Sequence, residues 1–198
     1  MAAIRSVVLG FRAHTGWAAM VAVAAGRQPE IIDRKRISYE PKNGRFLYHQ
    51  AEELGAARAE KSIDKGRTET VTAATRELKV AIEALKKRSF AVAGAAIPIG
   101  TTKLPKDVKD ILAAHSRIHA AEGVFYRETL ADACSSLGLP LHRPVERDLW
   151  TICAPLFGVS SGHLAAHIRE IGSALGPPWS EDQKIAMLAA WSHAAARK

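Results

Sequence analysis

Cysteine, aromatic residues and long hydrophobic runs are all scarce in this chain. It has two cysteines, Cys134 and Cys153, and 6% aromatic residues. Two cysteines are too few for a disulfide framework, and their spacing fits no zinc-binding pattern. No apolar run approaches the roughly 20 residues that a bilayer span needs, and the N-terminal segment is a poor match to a signal peptide. We therefore expect a cytoplasmic protein without a membrane partner.

The motifs of several enzyme classes are also missing. The sequence contains no glycine-rich phosphate loop, nucleophile elbow, zinc-finger spacing or dinucleotide-binding fingerprint, and no cofactor is expected. No acidic residue precedes Glu30 in the sequence. Positive charge is in excess, with a formal net charge of +8. Such a balance favours nucleic acid or another anionic partner, although it is equally compatible with a basic protein that binds neither.

The pattern of hydrophobic residues predicts one α/β domain spanning residues 1–198. The chain is long enough to bury a sizeable core, and 47% of its residues are hydrophobic. Three strands with short turns begin the chain and predict an antiparallel meander, and a later continuous apolar strand suits the centre of a parallel sheet. The predicted strands cover 4–12, 17–25, 30–39, 89–100 and 139–149, with turns at 14–16 and at Gly26, Arg27 and Pro29. The predicted helices cover 49–65, 68–88, 107–137, 162–175 and a last helix capped by Ser180. Gly66 and Gly138 are expected to end the first and third of these helices.

Two stretches near the two ends of the chain carry recognisable motifs, LGFRAHTGWAAMV at 9–21 and LGPPWSEDQKIAMLAAWSHAA at 175–195. They resemble the two ends of RuvC-type Holliday-junction resolvases, which belong to the ribonuclease H-like superfamily. The first stretch is similar to that family's Leu-Gly-Ile-Asp-Pro-Gly turn followed by Thr-Gly-aromatic, and the second is similar to its final helix. The predicted order of strands and helices is also that of the superfamily. The resemblance implies a five-stranded mixed sheet, with the fourth and fifth strands parallel to the first and helices on both faces.

The family's catalytic carboxylates are mostly replaced in this alignment. The resolvases use four acids to hold two divalent metals, which activate water and stabilise charge on the phosphate. Arg12 takes the place of the first acid, the strand at 89–100 contains none, and Ile185 replaces one of the two acids on the final helix. Asp182 alone matches. The resemblance therefore implies a fold without the family's nuclease reaction, no metal site, and an Arg12 side chain that projects toward Asp182.

Basic residues at two further places are candidates for binding nucleic acid. In the strand at 30–39, alternation sends Arg34 and Arg36 to one face, although charges on an edge strand also discourage aggregation. Lys103 and Lys106 follow the fourth strand at its carboxyl end, where open α/β sheets bind ligands, or they are ordinary loop charges. The predicted nucleic-acid surface comprises Arg12, Arg34, Arg36, Lys103 and Lys106.

A second candidate site lies on the helix predicted at 107–137. His115, His119 and Glu122 occupy positions i, i+4 and i+7, on one helical face. Such a set could ligate a divalent metal or act as an acid–base pair, but nothing else completes it by spacing, and a polar helix face is the commoner explanation.

Three functional hypotheses follow from the sequence. The first is a non-catalytic ribonuclease H-like module that has a binding or structural role, with nucleic acid as the expected ligand class. The alternative is a hydrolase or phosphotransferase with a relocated site built from His115, His119 and Glu122, or with Asp182. The third is a domain of the actin-like ATPase superfamily, which has the same core topology, but its acidic and glycine-rich phosphate signatures are missing.

Overall fold

The computed structural model describes residues 4–24 and 28–195. Its centre is a five-stranded mixed sheet with strand order β3-β2-β1-β4-β5. The first three strands form an antiparallel meander, and β4 and β5 run parallel to β1. The fold class predicted from the sequence is therefore confirmed. The strands are β1 (Arg5–His14), β2 (Trp17–Ala24), β3 (Glu30–Ser38), β4 (Phe90–Ala96) and β5 (Leu141–His142).

Helices cover both faces of the sheet. Alternate residues of β1 point to opposite sides and are buried in the two cores that these helices form. The helices are α1 (Leu47–Ala51), α2 (Ala56–Lys87), α3 (Val108–Leu112), α4 (His115–Ser136), α5 (Leu149–Leu156), α6 (Ser161–Leu175) and α7 (Glu181–Ala195). Val7, Leu9 and Phe11 are buried in one core with residues of α1, α2 and α4. Val8 is buried on the other face, in a core with residues of α5, α6 and α7.

The two helices predicted at 49–65 and 68–88 are instead a short helix, α1, and one 32-residue helix, α2. Gly66 was expected to end a helix, but it lies inside α2. A Cβ atom at Gly66 would approach Cδ1 of Leu47 to 2.5 Å, so glycine here allows α1 to pack directly on α2. The predicted helix at 107–137 is also divided, because Ala114 is extended and separates α3 from α4. Gly138, with a φ of 71°, follows α4 as predicted.

The segment predicted as a fifth strand at 139–149 forms only a two-residue strand. Pro140 and Pro144 flank β5 and have no N–H to donate. Their carbonyl oxygens still accept hydrogen bonds from the N–H groups of Ala95 and Ile99. The sequence interpretation missed α5, which begins at Leu149. The predicted turn at 26–27 lies outside the described residues.

No single helix within 4–24 and 28–195 has the length and apolar composition to cross a membrane. Two consecutive segments, 146–156 and 161–175, meet those criteria only when they are taken together, and they are bent by 86°.

Candidate functional site at the carboxyl edge of the sheet

Gly10 allows α7 to pack closely on β1, so that the end of β1 and the start of α7 lie at one edge of the sheet. A Cβ atom at Gly10 would lie 1.8 Å from the carbonyl oxygen of Ala186, so only glycine allows this contact. Asp182 lies one helical turn before Ala186. Arg12 lies two residues after Gly10, on the same face of β1. The side chains of Arg12 and Asp182 therefore meet where β1 ends.

The Arg12 guanidinium bridges two carboxylates at this edge. Its Nη1 donates to Oδ1 of Asp182 at 3.0 Å, and its Nη2 donates to Oε1 of Glu146 at 2.9 Å. Nε2 of His14 lies 2.8 Å from the same Asp182 oxygen, and the His14 ring stacks on Trp17. The three charged side chains are partly exposed, at 25% for Arg12, 23% for Asp182 and 35% for Glu146. The predicted approach of Arg12 to Asp182 is confirmed.

The sequence interpretation missed Glu146 and His14 as members of this cluster. Glu146 was included in an overlong fifth strand, and its position after that strand, at the ligand-binding edge of an open sheet, was the available signal. His14 was assigned to a turn, whereas β1 extends through it. This extension places His14 on the same side as Arg12, two residues along the strand.

A cleft of about 440 Å³ opens beside Arg12. Arg127, Arg147 and Trp150 line it, together with Glu146 and Glu181. Burial is the main reason that the pKa of Arg127 is below its usual value. Planar guanidinium groups match the geometry of phosphate oxygens, so a cleft of this composition suits a phosphate better than a hydrated metal.

A smaller pocket of about 220 Å³ adjoins the cleft through Arg127. On its wall, Arg143 forms two parallel hydrogen bonds with Glu128, Nη1 to Oε2 at 2.9 Å and Nη2 to Oε1 at 2.6 Å. These hydrogen bonds hold the pKa of Glu128 below its usual value. Arg143 is therefore already paired, whereas Arg127 faces both cavities.

The other basic residues of the predicted nucleic-acid surface lie in two separate regions. Lys103 and Lys106 are exposed in the loop that follows β4, at the same edge as Arg12. Arg34 donates hydrogen bonds to the carbonyl oxygens of Leu175 and Gly176, at 2.8 and 2.9 Å. These contacts link β3 to the end of α6. The Arg36 guanidinium lies 4.2 Å from the ring centroid of Trp17. Arg34 and Arg36 therefore both have partners within the protein.

The face of α4 that carries His115 and His119 is completed by a residue of another helix. The two Nε2 atoms are 3.0 Å apart, and the ring of His49 from α1 packs against both. Glu122 is buried and binds His49 rather than the other two histidines. Its pKa is raised chiefly by burial, in spite of hydrogen bonds from the N–H groups of Tyr48 and His49. The sequence interpretation missed His49 because spacing along α4 cannot reveal it.

The relocated site that combined these histidines with Asp182 is not assembled. Asp182 lies on α7 and binds Arg12 and His14. The His115 face belongs to the helix layer on the other side of the sheet, because α4 contributes to the first hydrophobic core and α7 to the second. The two groups are therefore separate features.

Comparison with solved structures identifies the fold. The chain is similar to RuvC of Thermus thermophilus, with a TM-score of 0.54 and 13% identity over 96% of this chain and 94% of that one. It is also similar to T. thermophilus RuvC in complex with a Holliday junction substrate, with a TM-score of 0.55 and 12% identity over 97% and 94% of the two chains. No protein-family model and no curated protein matches the sequence significantly. The described chain thus has the ribonuclease H-like α/β fold, which it shares with these RuvC structures.

Proposed function

We propose that this protein is a non-catalytic ribonuclease H-like module that binds nucleic acid through a basic surface at the carboxyl edge of its sheet. The observation that carries this proposal is the Arg12 guanidinium, which binds Asp182 and Glu146 together. On the sequence alignment, this is the place where the resolvases hold their metals. A permanent positive charge there repels divalent cations, and it engages one oxygen of each carboxylate that would otherwise coordinate them.

The same arrangement suits the binding of phosphates. Lys103 and Lys106 extend from the loop at this edge, and Arg127 and Arg147 line the adjacent cleft. Lys and Arg contacts to phosphates supply most of the sequence-independent affinity for nucleic acid. One similar RuvC structure is a complex with a Holliday junction substrate, which makes branched DNA a suitable first probe. The formal net charge of +8 agrees with an anionic partner.

A salt series with matched charge variants tests this proposal. Binding of a four-way DNA junction and of duplex DNA would be measured by fluorescence anisotropy for the intact chain, for Lys103→Gln/Lys106→Gln and for Lys86→Gln/Lys87→Gln. The control pair removes the same charge from the exposed end of α2. This end of α2 lies near the start of β4, whereas Lys103 and Lys106 follow the end of β4, so the two pairs are at opposite ends of that strand.

The expected affinity falls steeply as salt rises. The Lys103/Lys106 variant should reduce the slope of log K against log salt by roughly 0.9 for each duplex phosphate that the protein no longer neutralises. The control pair should leave that slope nearly unchanged. Absence of binding even at low salt, or an equal effect of the two variants, would exclude this surface as a nucleic-acid interface.

A further inference from the structure

We infer that His49, His115 and His119 form a binding site for a divalent transition-metal ion of the zinc class, with Glu122 orienting His49. The site lies between α1 and α4. It is separate from the proposed nucleic-acid surface, because Asp182 on α7, the partner of Arg12, lies on the other face of the sheet.

The three imidazole rings are already close to one another. One ligand nitrogen from each residue lies within 4.8 Å of the other two, and the ring centroids are 4.5 to 5.4 Å apart. A tetrahedral ion 2.0–2.1 Å from each nitrogen requires nitrogen separations of about 3.3 Å. His115 and His119 are exposed, so small side-chain rotations are enough to bring the three nitrogens to that spacing.

Glu122 supplies the carboxylate that commonly accepts a hydrogen bond from the second ring nitrogen of a metal-binding histidine. Its Oε1 lies 3.2 Å from Nδ1 of His49 and also accepts the backbone N–H of Tyr48 at 2.8 Å. A hydrogen bond from Nδ1–H to a carboxylate fixes the tautomer of a histidine and leaves Nε2 with its lone pair available to a metal. The Glu122 side chain is 3% exposed, and this burial restricts its movement. The carboxylate therefore holds the ring of His49 in place.

The chemistry of the ligands selects the class of metal. Three neutral imidazoles without a thiolate suit zinc, copper or nickel, whereas magnesium and calcium prefer oxygen ligands. Zinc with three protein nitrogens keeps its fourth position for water, and the exposure of His115 and His119 gives that position access to solvent. The ion would connect α1, which is only five residues long, to the long helix α4. The sequence-based expectation of no metal site is revised by this inference.

Zinc titration of the intact chain tests the site directly. Calorimetry should show one zinc ion bound per chain, and substitution of cobalt(II) should give the visible absorption bands of a tetrahedral complex. His49→Ala and His119→Ala should each abolish this binding. Glu122→Gln should weaken it by about 10–100-fold, as is typical when a carboxylate behind a histidine ligand is removed.

A second histidine pair provides the matched control. His163 and His167 are also spaced four residues apart on a helix, α6, but no third histidine joins them within the described residues. The double variant His163→Ala/His167→Ala should bind zinc as the unmodified chain does. Equal loss of zinc binding in the control and in His119→Ala would show adventitious binding and overturn the inference.

Thermal unfolding separates loss of the site from loss of the fold. Zinc should raise the Tm of the unmodified chain and of the His163/His167 control, because a ligand that binds only the folded state stabilises it. His119 is exposed, so His119→Ala should keep its metal-free Tm and show no rise with zinc. A zinc-dependent rise of the usual size in His49→Ala would exclude His49 as a ligand and overturn the inference.

Discussion

The Arg12 guanidinium lies 3.0 Å from Oδ1 of Asp182, although the two residues are 170 positions apart in the chain. The same guanidinium binds Glu146, which follows β5. One arginine at the end of β1 therefore connects the carboxyl edge of the sheet with the first turn of α7. Because Arg12 lies on β1 and Asp182 on α7, their contact depends on how closely α7 packs against β1.

Arg12→Met should destabilise the protein, because Asp182 and Glu146 would lose their shared cation and remain close to each other. Hydrogen bonds to charged groups contribute about 1.5–3 kcal/mol each, and partial exposure reduces this, so we expect a loss of about 1–3 kcal/mol in the free energy of unfolding. Urea denaturation measures it. Arg5→Met, also on β1, removes an exposed ion pair with Glu30 of β3 and should have little effect. Equal losses in the two variants would contradict the importance of the bridge.

Purified protein should not cleave branched DNA or RNA–DNA hybrids in magnesium or manganese. Two-metal hydrolysis requires several free carboxylates, and both acids that contact Arg12 are already in ion pairs. Labelled substrates analysed on denaturing gels provide the measurement. Metal-dependent cleavage that Asp182→Asn abolishes would show an active nuclease and would refute the non-catalytic proposal.

Gly10→Ala should destabilise the fold strongly, because its Cβ atom would overlap the carbonyl oxygen of Ala186, a backbone atom that cannot rotate away. We expect a loss of about 3 kcal/mol, at the upper end of the usual range for overpacked cores. Gly162→Ala is the control. It lies in the first turn of α6 with no atom within 4 Å of its added Cβ, and it should stabilise the protein by about 0.5 kcal/mol. Chemical denaturation of both variants measures the difference, and a neutral Gly10→Ala would refute the close contact of β1 and α7.

The pair of Glu128 and Arg143 should make part of the stability dependent on pH. Arg143 lowers the pKa of Glu128 in the folded state, so the folded protein holds this proton less tightly than the unfolded chain. The stabilisation is therefore fully present above the ordinary glutamate pKa of about 4.3 and is lost as the pH falls through the lower, folded-state pKa. The free-energy difference between the unmodified chain and Glu128→Gln should shrink from pH 7 toward pH 3. Arg143→Met should remove the same pH-dependent part, and a constant difference would exclude the pair as its source.

Several features of the fold could be predicted because local patterns report them. Two apolar runs at 4–12 and 17–25, on either side of a short turn, indicated the first hairpin, and the apolar run after Ser89 indicated a central parallel strand. Both agree with the structure. Arg12 and Asp182 could be paired because each lies in a stretch that resembles one end of the resolvases, and the structure places them in contact.

Predictions failed where a local signal was ambiguous. Gly66 was expected to end a helix, as glycine commonly does, but its missing side chain instead makes room for Leu47. The fifth strand was predicted too long because residues 146–148 form a 3-10 turn and Leu149 begins α5. At Gly66 the deciding contact comes from Leu47, 19 residues earlier in the chain, which no local pattern shows.

By itself, the sequence determined the order of the five strands along the chain, because apolar runs bounded by turn residues are a local property of the chain. It also placed Arg12 and Asp182 at the ends of their elements. Only the tertiary structure decided that Glu146 and His14 join them, and that His49 joins His115 and His119. These groups come together because helices and strands that are distant in the chain pack closely on the sheet, and glycines such as Gly10 and Gly66 allow that close approach.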